Sequence, residues 1–303
     1  PFSQAVPEKR PELSFDLAVA TVDREWRKVD PKASLRTLNW RVAKSENVPG
    51  TKLVSSVTLE LKSPDGKLTF RKSFSLNQLP PKKPEGDSEE EDDEKDAIKR
   101  RVAANMLDVT LAIINSGSKD APLQYVLQGP VGLPLEHKQF TSKFRDIQIG
   151  FDDGYNDVSV DNLTAADLVG QVSEKDVVLW SKPLKYVGVD VPYFAALVFP
   201  GGDQIKDNYF DSVEPVLIGS SQEEKQWHDV SVEMTSRELT IPADGSVRHS
   251  FQIFLGPKQV EALVSLQAEE LISERWFAWL SHLMILLLDK FHGWGLPFGI
   301  AII

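Results

Sequence analysis

Histidines and their acidic neighbours are the side chains of this sequence that could support acid–base chemistry. Two pairs are close along the chain, Glu136 with His137 and His228 with Glu233. An epimerase-type reaction needs such an acid and base within reach of one substrate. Neither pair lies in a recognisable catalytic motif, so we interpret His137 and His228 as solvated surface residues.

The other potential ligands and nucleophiles give no catalytic pattern either. His249 is in phase with Phe251 and Ile253 along an alternating stretch, which predicts a hydrogen-bonded core residue. Cysteine is absent, which excludes disulfides, thiolate metal sites and a cysteine nucleophile. The histidines lack zinc-ligand spacing, and phosphate-binding glycine loops and serine nucleophile elbows are missing. We therefore expect no enzyme activity, no metal and no cofactor.

The net charge of −11 is concentrated in one segment. Residues 85–96 hold nine acidic side chains and one lysine, which together contribute −8. The remainder has no basic stripe with interleaved aromatic residues, so we expect no nucleic-acid partner. The acidic run and the proline-rich stretch before it predict a disordered surface loop over residues 80–98. Such a run can be a docking tail, but it often serves only as a solvated spacer.

Period-two alternation of apolar residues predicts β-strands over most of the chain. Residues 53–76 should form a hairpin around Ser63-Pro64-Asp65-Gly66, because proline fixes φ in a turn and glycine accepts positive φ. A second hairpin is expected between 107–113 and 123–127, across Asn115-Ser116-Gly117. We predict an all-β fold over residues 1–256, a large sandwich of antiparallel sheets. Further strands are expected at 147–151, 158–160, 177–180, 193–199, 213–218, 230–234 and 247–255.

Helical periodicity replaces the alternation at Pro257, which predicts a linker helix over residues 257–273. Residues 274–292 are strongly apolar, but polar residues interrupt them too early for a bilayer span. As a helix they would carry an apolar arc of about 140°, and tryptophans suit the headgroup level. We predict a helix lying in the membrane interface, although a core helix packed on a sheet would show the same arc. The predicted interface residues are Trp276, Phe277, Trp279, Leu280, Leu283, Met284, Leu287, Leu288, Phe291 and Trp294.

Three segments, in this order along residues 180–303, resemble the periplasmic portion of the YidC-type membrane protein insertases. The first is Tyr186-Val187-Gly188 with Tyr193-Phe194 and Pro200, and the second is Leu255-Gly256-Pro257-Lys258 at the strand-to-helix junction. The third is Phe291-His292-Gly293-Trp294-Gly295 followed by Gly299-Ile300-Ala301-Ile302-Ile303, similar to the family's lead into its first core helix. Residues 293–303 are therefore expected to begin a transmembrane helix.

The resemblance implies a β-supersandwich similar to that of galactose mutarotases, located in the periplasm and attached to the bacterial inner membrane. It implies a non-catalytic scaffold or partner-docking role in an insertase that assists the insertion and folding of inner-membrane proteins. The implied partners are the lipid bilayer, components of the Sec translocation channel and nascent membrane proteins. Two alternatives stay open: a carbohydrate-binding or epimerase-like sandwich, and a chaperone-like sandwich that binds peptide along a strand edge.

Overall fold

The computed structural model describes residues 14–21, 35, 38–77, 90–135, 144–154, 158–219, 222, 224–272 and 290. Within these ranges the chain forms strands, three α-helices and two 3-10 turns. The strands are β1 (Leu17–Thr21), β2 (Arg41–Asn47), β3 (Val54–Lys62), β4 (Leu68–Leu76), β5 (Met106–Asn115), β6 (Ala121–Gln128), β7 (Asp146–Asp152), β8 (Val158–Thr164), β9 (Leu184–Asp190), β10 (Phe194–Pro200), β11 (Phe210–Ile218), β12 (Asp229–Ser236), β13 (Leu239–Ile241) and β14 (Ser246–Pro257). The helices are α1 (Glu90–Ala104), α2 (Ala165–Glu174) and α3 (Val260–Ser265), and the 3-10 turns are Lys225–Trp227 and Glu269–Leu271.

The strands form two antiparallel sheets that enclose the main core. One has five strands in the order β1-β6-β12-β11, with β13 also paired to β6. The other has nine strands in the order β2-β3-β4-β5-β14-β10-β9-β7-β8. Both sheets contribute fully buried side chains to the core, among them Tyr125 from the small sheet and Phe70 and Ile147 from the large one. The prediction of a mostly β, antiparallel fold is confirmed.

The first predicted hairpin is confirmed. Strands β3 and β4 pair from Ser56 with Ser75 to Lys62 with Thr69. The backbone amide of Gly66 donates to the carbonyl of Ser63 at 2.8 Å, and Gly66 has a φ of 73°. This positive φ is the reason that the turn needs glycine.

The second predicted hairpin is wrong. Strand β5 pairs with β4 and β14 in the large sheet, whereas β6 pairs with β1, β12 and β13 in the small one. The segment at Asn115 therefore carries the chain from one sheet to the other. The Nδ2 of Asn115 donates to the carbonyl of Ile241 at 3.1 Å, and the Oδ1 of Asn115 accepts from the backbone amide of Gly117 at 2.8 Å. The alternation indicated correctly that each strand has one buried face, but it does not specify the neighbouring strand.

The sequence pattern did not predict strands β2, β9 and β13, and one predicted strand does not form. Every residue of β2 is exposed and β9 is buried almost throughout, so neither shows a clear alternation. Strand β13 has only three residues. The predicted strand at 177–180 reduces to a single bridge between Trp180 and Val213.

The predicted disordered loop is wrong for residues 90–98, which lie in helix α1. The acidic residues fall in the first turns of this helix and Arg101 lies in its last turn, an arrangement that complements the helix dipole. Val102 near the end of the helix packs against a second apolar cluster. A charge run was therefore read as a solvated coil where the dipole and one apolar contact favour a helix.

The second cluster lies on the outer face of the nine-stranded sheet. It combines Tyr186, Leu197 and Phe254 of the sheet with Leu263 of α3 and Leu271. The predicted linker helix is shorter than expected, because β14 continues through Pro257 and α3 begins only at Val260. None of the helices within the described ranges has the length and apolar character that a bilayer span requires.

Candidate functional site

Two of the segments that carry the family resemblance meet at one end of the nine-stranded sheet. Strand β10 pairs with β9 on one side and with β14 on the other, and Phe194 lies opposite Pro257. The backbone amide of Lys258 donates to the carbonyl of Tyr193 at 2.9 Å. Residues 190–194 and 255–272 therefore form one structural unit, which we call the base of the sandwich.

A buried ion pair fixes the base. Lys258 Nζ donates to Asp190 Oδ2 at 2.9 Å and to the carbonyl of Leu271 at 3.2 Å. The Asp190 side chain is fully buried and that of Lys258 is 8% exposed. Gln148 Nε2 approaches Asp190 Oδ1 at 3.4 Å. Because the two opposite charges meet inside the protein, the pair holds the 3-10 turn at Leu271 against the end of β9.

Two glycines allow the strands beside the base to pack closely. A Cβ at Gly188 would overlap the backbone carbonyl of Ala196 on the neighbouring strand. A Cβ at Gly150 would overlap the ring of Tyr186. Burial, with smaller contributions from Glu270 and Glu269, raises the pKa of Tyr186, so this phenol stays protonated. The segment Tyr186-Val187-Gly188 thus packs β9 against β7 and β10.

Large apolar side chains are exposed around the base. Tyr193 is 63% exposed and Val260 is 53% exposed. Val260 and Val264 are four residues apart on α3 and therefore share one helix face. Single exposed apolar residues are ordinary, but a group at one end of a domain indicates a contact surface. We call this group the basal rim, and it consists of Tyr193, Phe194, Leu255, Val260 and Val264.

Ile272 directly follows the 3-10 turn that Lys258 holds. All ten predicted membrane-interface residues lie outside the described residues, and so do residues 293–303. The interface helix and the start of a transmembrane helix therefore stay predictions. Three carboxylates of the base, those of Glu261, Glu269 and Glu270, are exposed.

The acid–base candidates do not come together. His228 is buried, so its interpretation as a solvated residue is wrong. Its Nδ1 donates to the carbonyl of Lys225 at 3.0 Å, and its Nε2 accepts from the amide of Gln222 at 3.2 Å. Glu233 lies five residues further along extended backbone, which corresponds to about 16 Å. Glu136 and His137 lie outside the described residues.

The prediction of His249 as a hydrogen-bonded core residue is confirmed. Its Nδ1 lies 2.6 Å from the hydroxyl of Tyr125, and its ring stacks on Tyr209 with centroids 4.0 Å apart. Burial lowers the pKa of His249 to about 4 and raises that of Tyr125. The imidazole is therefore neutral at neutral pH and holds the two sheets together. Among the described residues, no three His, Asp or Glu side chains are grouped closely enough to bind a metal.

Comparisons with known proteins give one family. The YidC periplasmic domain family matches residues 97–287, which include the base. Similar solved structures include a galactose mutarotase related enzyme from Lactobacillus acidophilus, with 13% identity, a TM-score of 0.44 and coverage of 74% of this chain and 73% of that one. A galactose mutarotase-like protein from Clostridium acetobutylicum has 11% identity, a TM-score of 0.40 and coverage of 75% and 68%. Comparison with curated protein sequences gave no match.

Proposed function

The chain belongs to the YidC periplasmic domain family, and on that premise we propose that it is the non-catalytic periplasmic domain of a bacterial inner-membrane insertase. The observation that carries the proposal is the family match over residues 97–287. In this role the sandwich supports and orients the membrane-embedded part, which assists the insertion and folding of inner-membrane proteins. Components of the Sec translocation channel and nascent membrane proteins are the partners proposed for it.

We further propose that residues 274–292 lie in the outer surface of the bilayer as an amphipathic helix. The predicted apolar arc, including Leu283 and Leu287, would face the acyl chains. The base supports this arrangement, because residues 274–292 follow it almost directly in the sequence and the basal rim exposes apolar side chains. The rim would then face the bilayer interface alongside the helix.

Charge indicates how the attachment works. Glu261, Glu269 and Glu270 are exposed on the base. Anionic headgroups would repel these carboxylates, so we expect apolar burial to supply most of the attachment. Binding to zwitterionic vesicles should therefore change little as the salt concentration rises.

Flotation of the 303-residue chain with phosphatidylcholine vesicles tests the proposal. The wild type should float with the vesicles, and Leu283→Asp with Leu287→Asp should remain in the soluble fraction. Each buried leucine contributes about 1.5–3 kcal/mol, so loss of both should weaken partitioning by more than about 100-fold. The control is Leu53→Asp with Leu179→Asp, which makes the same change at two exposed leucines outside the base and should float like the wild type.

Two results would contradict membrane attachment. The first is a wild-type chain that stays in solution with every vesicle composition. The second is a Leu283 and Leu287 variant that partitions normally but unfolds at a lower temperature, which would place these leucines in a helix packed on the sandwich.

A further inference from the structure

An open polar cleft of about 740 Å³ lies on the outer face of the nine-stranded sheet, on the half that the second apolar cluster does not cover. Its floor carries small hydroxyl and methyl side chains, including Thr58, Ser73, Thr110 and Ala112. Larger charged residues line it, namely Lys44, Glu60, Arg71, Asp244 and Arg248. None of these residues belongs to the base or the basal rim.

Strand register explains the pattern of charge. Arg41 is paired with Glu60, Glu60 with Arg71, Arg71 with Ala112, and Ala112 with Arg248. These residues form one row across five strands and point to the same face. The row holds three guanidinium groups and one carboxylate, in a chain whose net charge is −11.

The Glu60 carboxylate forms ion pairs with two arginines of this row. It is buried, accepts from Arg71 Nε at 2.7 Å and also accepts from Arg41 Nη2. Hydrogen bonds from Arg71 and then Arg41 lower the pKa of Glu60, so it stays ionised. The carboxylate orients Arg71 on the cleft floor, and the two arginines together exceed its charge by one.

Arg248 is the exposed cation on the opposite side of Ala112. Its side chain makes no hydrogen bond or ion pair with any residue that the structure describes. Lys44, by contrast, is paired with Glu46 at 2.6 Å, and Asp244 supplies one carboxylate at the edge. Its three cations and two carboxylates give the lining a net charge of +1, and Arg71 and Arg248 supply its guanidinium groups.

We propose that this cleft binds an acidic polypeptide segment in an extended conformation. Arg71 and Arg248 lie two strands apart, which is about 9.5 Å between their Cα atoms. Carboxylates two residues apart along an extended peptide lie on the same face about 7 Å apart, and the long arginine side chains can span the difference, so each carboxylate can reach a guanidinium. The hydroxyls of Thr58 and Ser73 hydrogen-bond to each other at 3.0 Å and keep lone pairs that can accept, and the hydroxyl of Thr110 adds a further polar group for the peptide.

The lining favours a peptide over other anions. Among the residues that the structure describes, those lining the cleft include no aromatic ring on which a nucleobase could stack. A single phosphate ion would also be small for an open cleft of this volume with two separated cations. An extended acidic chain uses the length of the cleft and both arginines.

Fluorescence anisotropy of a labelled peptide of alternating glutamate and serine tests the proposal, with a glutamine and serine peptide as the neutral match. The wild-type chain should bind the acidic peptide saturably at low salt and the neutral peptide not at all. Arg248→Glu should weaken binding by at least about tenfold. Arg237→Glu makes the same charge change at an exposed arginine outside the cleft and should bind like the wild type.

Three outcomes would overturn the proposal. They are no saturable binding by the wild type, equal binding by Arg248→Glu and wild type, and displacement of the peptide by phosphate far beyond that by chloride at equal ionic strength. The last outcome would make the cleft a site for a small oxyanion. Circular dichroism of Arg248→Glu confirms that the variant is folded, which we expect because Arg248 is exposed.

Discussion

Replacing Lys258 with methionine should destabilise the domain severely. Met preserves most of the side-chain volume but removes the ammonium group, which leaves the Asp190 carboxylate buried opposite an apolar side chain. Breaking a buried ion pair in this way costs about 3–5 kcal/mol. For a domain of this size, that loss lowers the unfolding temperature by about 6–20 °C.

A double variant tests whether the loss of stability in Lys258→Met comes from the buried charge of Asp190. The double variant Asp190→Asn with Lys258→Met removes both charges of this pair, and the amide of Asn can still approach Gln148. Removing both charges of a buried pair is often close to neutral, so the double variant should be more stable than Lys258→Met alone. Urea unfolding followed by circular dichroism measures the free energy of unfolding of all the variants.

The matched control is Lys206→Met. Lys206 forms an ion pair with Asp203 at 3.0 Å, but its side chain is 79% exposed. An exposed pair contributes little, so this variant should unfold like the wild type. Our reasoning is refuted if Lys258→Met is as mild as Lys206→Met, or if the double variant is less stable than Lys258→Met.

Two further predictions concern the packing of the sandwich. Gly188→Ala should lower the free energy of unfolding by about 3 kcal/mol or more, because its Cβ would meet a backbone carbonyl that cannot move away. Gly170→Ala in helix α2 has open space around its Cβ and should raise the free energy of unfolding by up to about 1 kcal/mol. Urea unfolding of both variants checks this, and equal stabilities would contradict it. The pKa of His249 is lower in the folded state than in the unfolded state. Between pH 6.5 and about 4 the unfolded state therefore binds a proton that the folded state does not. The free energy of unfolding should fall by about 3 kcal/mol as the pH decreases through that window. His249→Phe cannot titrate and should lose that part of the pH dependence of its unfolding free energy; an unchanged pH profile would contradict the assignment.

The sequence was informative wherever one strand face is buried and uninformative about strand partners. Alternation located β3, β4, β5 and β6, and the positive φ required at Gly66 identified the first turn. The assignment of β5 and β6 to different sheets depends on β14, which is more than 100 residues away in the sequence and pairs with β5. Nothing local to Asn115 distinguishes a hairpin from a crossing between sheets.

The candidate site could be predicted only in part, because its contacts also join residues that are far apart in the sequence. The motif segments around Gly188 and Lys258 were recognised as a family resemblance, and the family match confirms it. Their chemistry was not foreseen, because Asp190 and Lys258 are separated by 68 residues and become partners only when β10 lies between β9 and β14. His228 was misread because burial depends on the 3-10 turn before it, which carries no strong sequence signal.

The outer face of the large sheet has two halves with different chemistry. Near the base it is apolar and covered by α3 and α1, whereas the other half is polar and open. Arg248 and Leu255 are seven residues apart on β14, which places the cleft about 23 Å from the basal rim. Substitutions this far apart without shared partners act additively. On the proposed attachment of residues 274–292 at the base, Arg248→Glu should leave vesicle binding unchanged, and Leu283→Asp with Leu287→Asp should leave peptide binding unchanged. A domain with two independent surfaces can be held against the bilayer by one and bind a polypeptide with the other. Coupling between the two substitutions would instead mean that the acidic peptide is recognised at the base.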